Sequence, residues 1–158
     1  MTLTPIQQVF AQVHSPTSLT FPETIALLLN LGVTRYHVDY ISRTTTTYTP
    51  RPASKSAADS TSPSAATSTG QTPIATEQMA MPAPAVNPDT SWDAAALARA
   101  IRRVQGRQTV YAEFVRECVD AGVAGYIACL VGKRVLYYGL NGDVHVEWFP
   151  GAEPMGHK

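Results

Sequence analysis

The stretch "GVTRYHVDY", residues 32–40, sets His37 and Asp39 two apart, and "DVHVEWF", residues 143–149, does the same with His145 and Glu147. Residues two apart on a β-strand point to one face, so each pair would present an imidazole and a carboxylate together. That donor set suits zinc or iron. If the two strands lay near one another, His37, Asp39, His145 and Glu147 could hold a divalent metal, and a metal-dependent enzyme would be the chemistry they support. The competing reading is that polar residues alternate with apolar ones on any half-buried strand, where His and Asp simply face water.

Other chemistry-bearing residues are better explained by structure. Glu23 and Glu113 read as first-turn acids that favour a helix N-terminus, with carboxylate catalysis a remote second reading. Tyr36, Tyr137 and Tyr138 could serve as acids or stacking platforms, yet aromatics at alternating strand positions usually belong to a core. "GLNGD" (139–143) reads as a hairpin turn, since a phosphate loop would need a following helix and a lysine. No serine sits in a nucleophile elbow and no Cys-x-x-Cys occurs.

The elements that must position these residues come in two similar runs. "FPETIALLLNLGVTRYHVDYI" (21–41) aligns without a gap on "YAEFVRECVDAGVAGYIACLV" (111–131). Phe21 meets Tyr111, Glu23 meets Glu113, Gly32 meets Gly122 and Tyr36 meets Tyr126, an offset of 90 residues (111 minus 21). Upstream, Ile6, Val9, Phe10 and Val13 meet Leu97, Ala100, Ile101 and Val104 with one residue of slip. The chain reads as an internal duplication, with pseudo-repeats at about 5–50 and 92–149. Each begins with an amphipathic helix on the i, i+3, i+4, i+7 pattern. A second helix follows, with Thr20 and Glu23 at capping-box spacing in the first copy and Thr109 one residue early for an equivalent cap in the second. Each second helix stops at a glycine, Gly32 or Gly122, suited to the left-handed position after a helix. A strand then starts.

The second copy continues as a meander: "GYIACLV", a two-residue Gly132-Lys133 turn, "RVLYYG", an Asn141-Gly142 turn of type I′, then "DVHVEWF". Those turns predict Leu130 opposite Val135, Tyr138 opposite His145 and Leu136 opposite Glu147. One face would then carry Tyr126, Ala128, Leu130, Val135, Tyr137, Val144, Val146 and Trp148, and the helices should pack there. The other would carry Ile127, Cys129, Val131, Leu136 and Tyr138 with Arg134, His145 and Glu147, and the first copy would add His37, Asp39 and Ile41. The fold class predicted is α+β: duplicated helix-helix-strand-meander units forming antiparallel sheet with helices packed on one face.

Between the copies the composition shifts to Ser, Thr, Ala and Pro, as in "TTTTYTPRPASKSAADSTSPSAATSTGQTP". Such a run carries too little apolar area to offset its ordering entropy. The expectation is a single domain over 1–150 interrupted by an insert at 51–90, in which 51–72 is disordered and 73–90 is extended, with 151–158 a flexible tail. Phosphorylation or glycosylation of the insert is one option, a bland spacer the other.

Lys plus Arg is 12 and Asp plus Glu is 12, so no broad field attracts nucleic acid or anionic lipid. The basic patch "IRRVQGR" (101–107) reads as a solvated helix end. Cys118 and Cys129 both sit in apolar company that suggests burial, with a disulfide between them the weaker option. No signal-peptide or membrane-length apolar run stands out, so the cytoplasm is the expected compartment. No cofactor is expected, and neither nucleic acid nor membrane is an expected partner.

At "IQQVFAQVHS", "LGVTRYHVDY" and "FVRECVDAGVAGYIACL" the sequence resembles the YbcV-like family, small bacterial and phage-associated proteins sometimes labelled phage envelope proteins. The likeness covers most of 5–43 and 88–150. It implies a small α+β domain of unknown function and brings no catalytic residue with it; the Ser/Thr/Pro insert departs from the compact family pattern.

The functional expectation is a non-enzymatic binding or interaction domain using the outward sheet face at Ile127, Cys129, Leu136 and Tyr138, with a homodimer as one form of it. Burial of that face beneath 73–90, through Ile74, Met79 and Met81, is the bland alternative. Beside the metal enzyme, a third reading is a small-molecule pocket in the cleft between the two units.

Overall fold

A computed structural model describes residues 2–51 and 73–154, so the expected disorder of 52–72 and the last four residues of the expected tail lie outside the described residues. The elements run α1 Pro5–Val13, α2 Phe21–Asn30, β1 Arg35–Asp39, β2 Thr44–Pro50, β3 Ile74–Ala80, α3 Ala94–Gln105, α4 Tyr111–Asp120, β4 Val123–Cys129, β5 Arg134–Gly139 and β6 Val144–Trp148. The fold is α+β.

Local chemistry explains most helix ends. Thr4 and Gln7 form a reciprocal capping box on α1, and Thr20 and Glu23 do so on α2, each followed by proline in the first turn. Asp93 caps α3 through the amide of Ala96. In α4 the N-cap is Val110, which has no side-chain oxygen to offer, because Thr109 falls one position early. Gly32 and Gly122, after α2 and α4, share φ = +88°.

The six strands form one antiparallel sheet in the order β3-β2-β1-β4-β5-β6. The stretch from 73, expected as extended chain, supplies β3, which pairs with β2 from Thr44 opposite Ala80 to Pro50 opposite Ile74. At the centre β1 lies against β4 with His37 opposite Ile127. Phe10, Leu28, Leu97, Ile101, Phe114 and Cys118 of the helices pack with the inner sheet residues Tyr36, Val38, Tyr126, Ala128, Val135 and Tyr137 into one core. That face is the helix-covered one, as expected.

Two turns depart from the predicted register. Between β4 and β5 the loop has four residues, Leu130–Lys133, with Lys133 at φ = +60°. Val135 therefore faces Ala128, not Leu130, but a two-residue shift leaves each side chain on its expected face. Between β5 and β6 the shift is one residue. Gly142 alone takes a positive φ (+91°), whereas a type I′ turn needs Asn141 there too. The result is a three-residue loop in which the Gly142 amide donates to the Gly139 carbonyl at 3.3 Å and the Gly139 amide donates to the Asp143 carbonyl at 2.8 Å. His145 consequently faces Tyr137 rather than Tyr138, and Leu136 faces Val146 rather than Glu147. This slip exchanges the faces of the whole of β6: His145 and Glu147 turn to the helix side, and Val144, Val146 and Trp148 turn outward.

Candidate functional site

The β6 slip separates the proposed metal ligands. His37 and Asp39 stay on the outer face, in rows with Ile127 and Gly125, while His145 and Glu147 share the inner face with Tyr137 and Val135. The four residues do not converge. His145 Nε2 lies 3.1 Å from Glu147 Oε1, an interaction within the pair. The Asp39 carboxylate accepts the amides of Ile41 at 2.9 Å and Ser42 at 3.4 Å, closing its own turn. Among the described residues no three His, Cys, Asp or Glu side chains are grouped so as to hold a metal ion.

On the outer face Ile127, Cys129, Leu136 and Tyr138 are all half-buried, and Val144 and Val146 join them with exposures of 59% and 42%. The segment from 73 does not lie over them. β3 is the far edge strand, Met79 is opposite Thr45 on the inner side, and Met81 is in the core. Within this face the Tyr138 hydroxyl lies 2.5 Å from His37 Nε2. Burial, and then the Asp39 charge, push the Tyr138 phenol up to about 12, so it stays protonated at neutral pH.

A concave feature lies on the helix side. A cavity of about 530 Å³ opens between the sheet and the two interhelix loops, a size typical of small-molecule sites. Its floor is Tyr36 of β1, Tyr126 of β4, and Val135 and Tyr137 of β5. Phe10 and Val13 of α1 and Ile101 and Phe114 of α3 and α4 wall it, all buried. The loop before α2 and the loop before α4 meet over it, where the Tyr111 amide donates to Ser18 Oγ at 3.3 Å. Exposed Glu23, Gln105, Arg107 and Pro150 form the rim, with half-exposed Glu147 beside them.

Three polar features stand out in this wall. The hydroxyls of Tyr111 and Tyr126 lie 2.6 Å apart. Thr109 is buried, with a hydroxyl that finds no hydrogen-bond partner. Burial pushes Tyr36 up to about 12, moderated by the Tyr126 hydroxyl, and drives Tyr111, Tyr126 and Tyr137 well above the ordinary phenol range. These phenols are neutral hydrogen-bonding groups, not bases. Cys118, behind the floor, is raised by burial as well and is a packed thiol.

The remaining sequence candidates have structural partners. Glu23 closes the α2 capping box, and the Thr20 hydrogen bonds lower its pKa. Glu113 and Glu117 lie 3.5 and 3.3 Å from the Arg103 guanidinium, tying α3 to α4 through the basic patch. Sequence reasoning allowed a cleft between the units but did not name Thr109, Tyr111 or Phe114 as its lining. The signal available was Tyr36 recurring as Tyr126 beside Phe21 recurring as Tyr111, aromatic at both copies.

Comparison with known proteins places residues 68–147, just over half of the chain, in the family described as "Protein of unknown function (DUF1398)". The chain belongs to the DUF1398 family. The matched span takes in β3, α3, α4, β4, β5 and most of β6 of this DUF1398 protein. It is also similar to the uncharacterized protein Mb2035 of Mycobacterium bovis and to the uncharacterized proteins MT2067 and Rv2012 of Mycobacterium tuberculosis, at 33% identity over 66 residues in each case. That stretch is 42% of this chain and 40% of each relative, so the chain spans about two-fifths of the length of the curated relatives it matches. Among the described residues no helix is long and apolar enough to cross a membrane.

Proposed function

We propose that this DUF1398 protein binds a small molecule in the cavity between the sheet and the interhelix loops. One observation carries the reading: a 530 Å³ space with an aromatic floor and hydroxyl groups in its wall, open at a polar rim. The lining comes from both halves of the chain, the arrangement expected of a cleft between duplicated units. The duplication belongs to the same reading, and the 90-residue offset (127 minus 37) that places His37 opposite Ile127 at the sheet centre supports it. The YbcV-like resemblance, as a finer family assignment, and a cytoplasmic setting for the free thiols of Cys118 and Cys129 are parts of the same proposal.

The test uses the neutral solvatochromic probe 6-propionyl-2-(dimethylamino)naphthalene. A saturable blue shift at one probe per chain is expected, lost in Val135→Phe, which fills the floor, and retained in Leu136→Glu, which alters only the outer face. No saturable shift with folded protein overturns the proposal.

A second reading is a homodimer through the outer face, favoured by the exposure of Val144 and Val146 beside Leu136. Light scattering at high concentration tests it: a strict monomer, unaltered by Leu136→Asp, rules it out.

A further inference from the structure

We infer that the cavity takes an uncharged, flat, largely apolar molecule bearing a carbonyl or similar neutral acceptor, seated against the hydroxyls of Thr109 and the Tyr111–Tyr126 pair. This inference rests on the cavity reading above and specifies its ligand chemistry.

The acceptor follows from counting protons. In the Tyr111–Tyr126 pair, 2.6 Å apart, one hydroxyl donates to the other, and Tyr36 shares the Tyr126 hydroxyl; three hydroxyls joined by two hydrogen bonds leave one phenol O–H still to be placed. Thr109 adds a second donor. Its residue is 8% exposed, it lines the cavity, and its hydroxyl has no partner. The local sequence explains why it is left over: Thr20 sits at the N-cap of α2 and bonds the Glu23 amide at 3.3 Å, but Thr109 sits one residue outside α4, where Val110 occupies the cap. A buried hydroxyl without a partner is costly. A ligand acceptor between Thr109 and the phenol pair would satisfy both.

Flatness follows from the aromatic lining. Phe10 meets Tyr36 edge-on at 5.3 Å and Phe114 meets Tyr137 edge-on at 6.3 Å, so ring faces and edges remain for a further ring to pack against. Neutrality follows from the surroundings. The same burial that keeps the lining phenols protonated would penalise a carboxylate. Arg107, the one cation lining the cavity among the described residues, is at the exposed rim and acts on Glu23.

Titration calorimetry with 2-acetylnaphthalene, 2-ethylnaphthalene and 2-naphthoate tests the inference on wild type, Thr109→Val, Thr109→Ser and Tyr111→Phe. The expected result is about tenfold tighter binding of the acetyl than of the ethyl compound, with naphthoate weakest. Thr109→Val should erase the acetyl preference without weakening the ethyl compound, and Thr109→Ser should keep it. Equal wild-type affinities for acetyl and ethyl, tightest binding of naphthoate, or a preference that survives in either Thr109→Val or Tyr111→Phe would overturn the inference and leave the cavity reading intact. Failure of all three probes to bind wild type overturns both. The wild-type comparison decides even where a variant does not fold.

Discussion

The Tyr138 hydroxyl on β5 lies 2.5 Å from His37 Nε2 on β1, reaching across the intervening strand β4. The ring can cross because Gly125 is the residue beneath it. A Cβ at Gly125 would collide with the Tyr138 hydroxyl and come within 2.5 Å of the Val38 carbonyl oxygen. The outer-face polar contact therefore depends on an absent side chain.

Gly125→Ala should destabilise the fold by about 2–3 kcal/mol, the cost of forcing an atom into filled space. Adding Tyr138→Phe removes the hydroxyl clash but leaves the ring Cζ at 2.7 Å and the Val38 carbonyl oxygen at 2.5 Å from the new methyl group. Urea unfolding of the single and double variants is expected to show little recovery; full recovery in the double variant would assign the whole cost to the tyrosine.

The tyrosines set an alkaline limit. Tyr36 and Tyr138 are raised to about 12, and Tyr40, Tyr111, Tyr126 and Tyr137 are also raised well above the ordinary phenol range, in every case first by burial. A phenol whose pKa is higher in the folded chain than in the unfolded one, near 10, keeps its proton better when folded, so the unfolded state binds fewer protons above that pH. Stability from these groups is complete below pH 10 and falls as the pH rises toward 12. Absorbance at 295 nm should show these tyrosines ionising together with loss of the circular dichroism signal. Ionisation of them all near pH 10 in folded protein would contradict the burial.

Helix α4 lacks the cap that α2 has. Thr20→Ala removes the hydroxyl that accepts the Glu23 amide at 3.3 Å and donates to Glu23 Oε1 at 2.8 Å, and should cost about 1 kcal/mol. Val110→Ser places an oxygen at an exposed N-cap that is already extended, φ −93° and ψ 170°. It should stabilise by roughly 0.5–1 kcal/mol. Denaturant midpoints measured side by side check both signs.

Thr109→Val replaces an unpartnered buried hydroxyl with a methyl group of similar size. Without ligand the variant should melt higher, with a gain of about 1 kcal/mol. A lower melting temperature would mean that the hydroxyl has a partner in solution.

How much of this was legible in the sequence is shown best by β6. Alternation along "DVHVEWF" identified a strand, and Asn141-Gly142 marked a turn, but nothing in those residues says whether one or two of them adopt a positive φ. Only Gly142 does, and the single added loop residue turns His145 and Glu147 inward. The separation of the four polar residues follows from that one dihedral choice.

The sequence by itself determined the helices, the strands β1, β4, β5 and β6, and the helix-bearing face of β1, β4 and β5. Apolar periodicity, the Thr20–Glu23 cap and the glycines after α2 and α4 act over a few residues, so they can be read locally. The cavity was decided by tertiary structure alone. Tyr36 and Tyr126 come from strands far apart in the chain, Tyr111 and Ser18 join two separate loops, and Thr109 becomes an unpaired donor only when those loops close over it. Contacts between distant segments depend on how elements pack, and residue type and spacing do not carry that information.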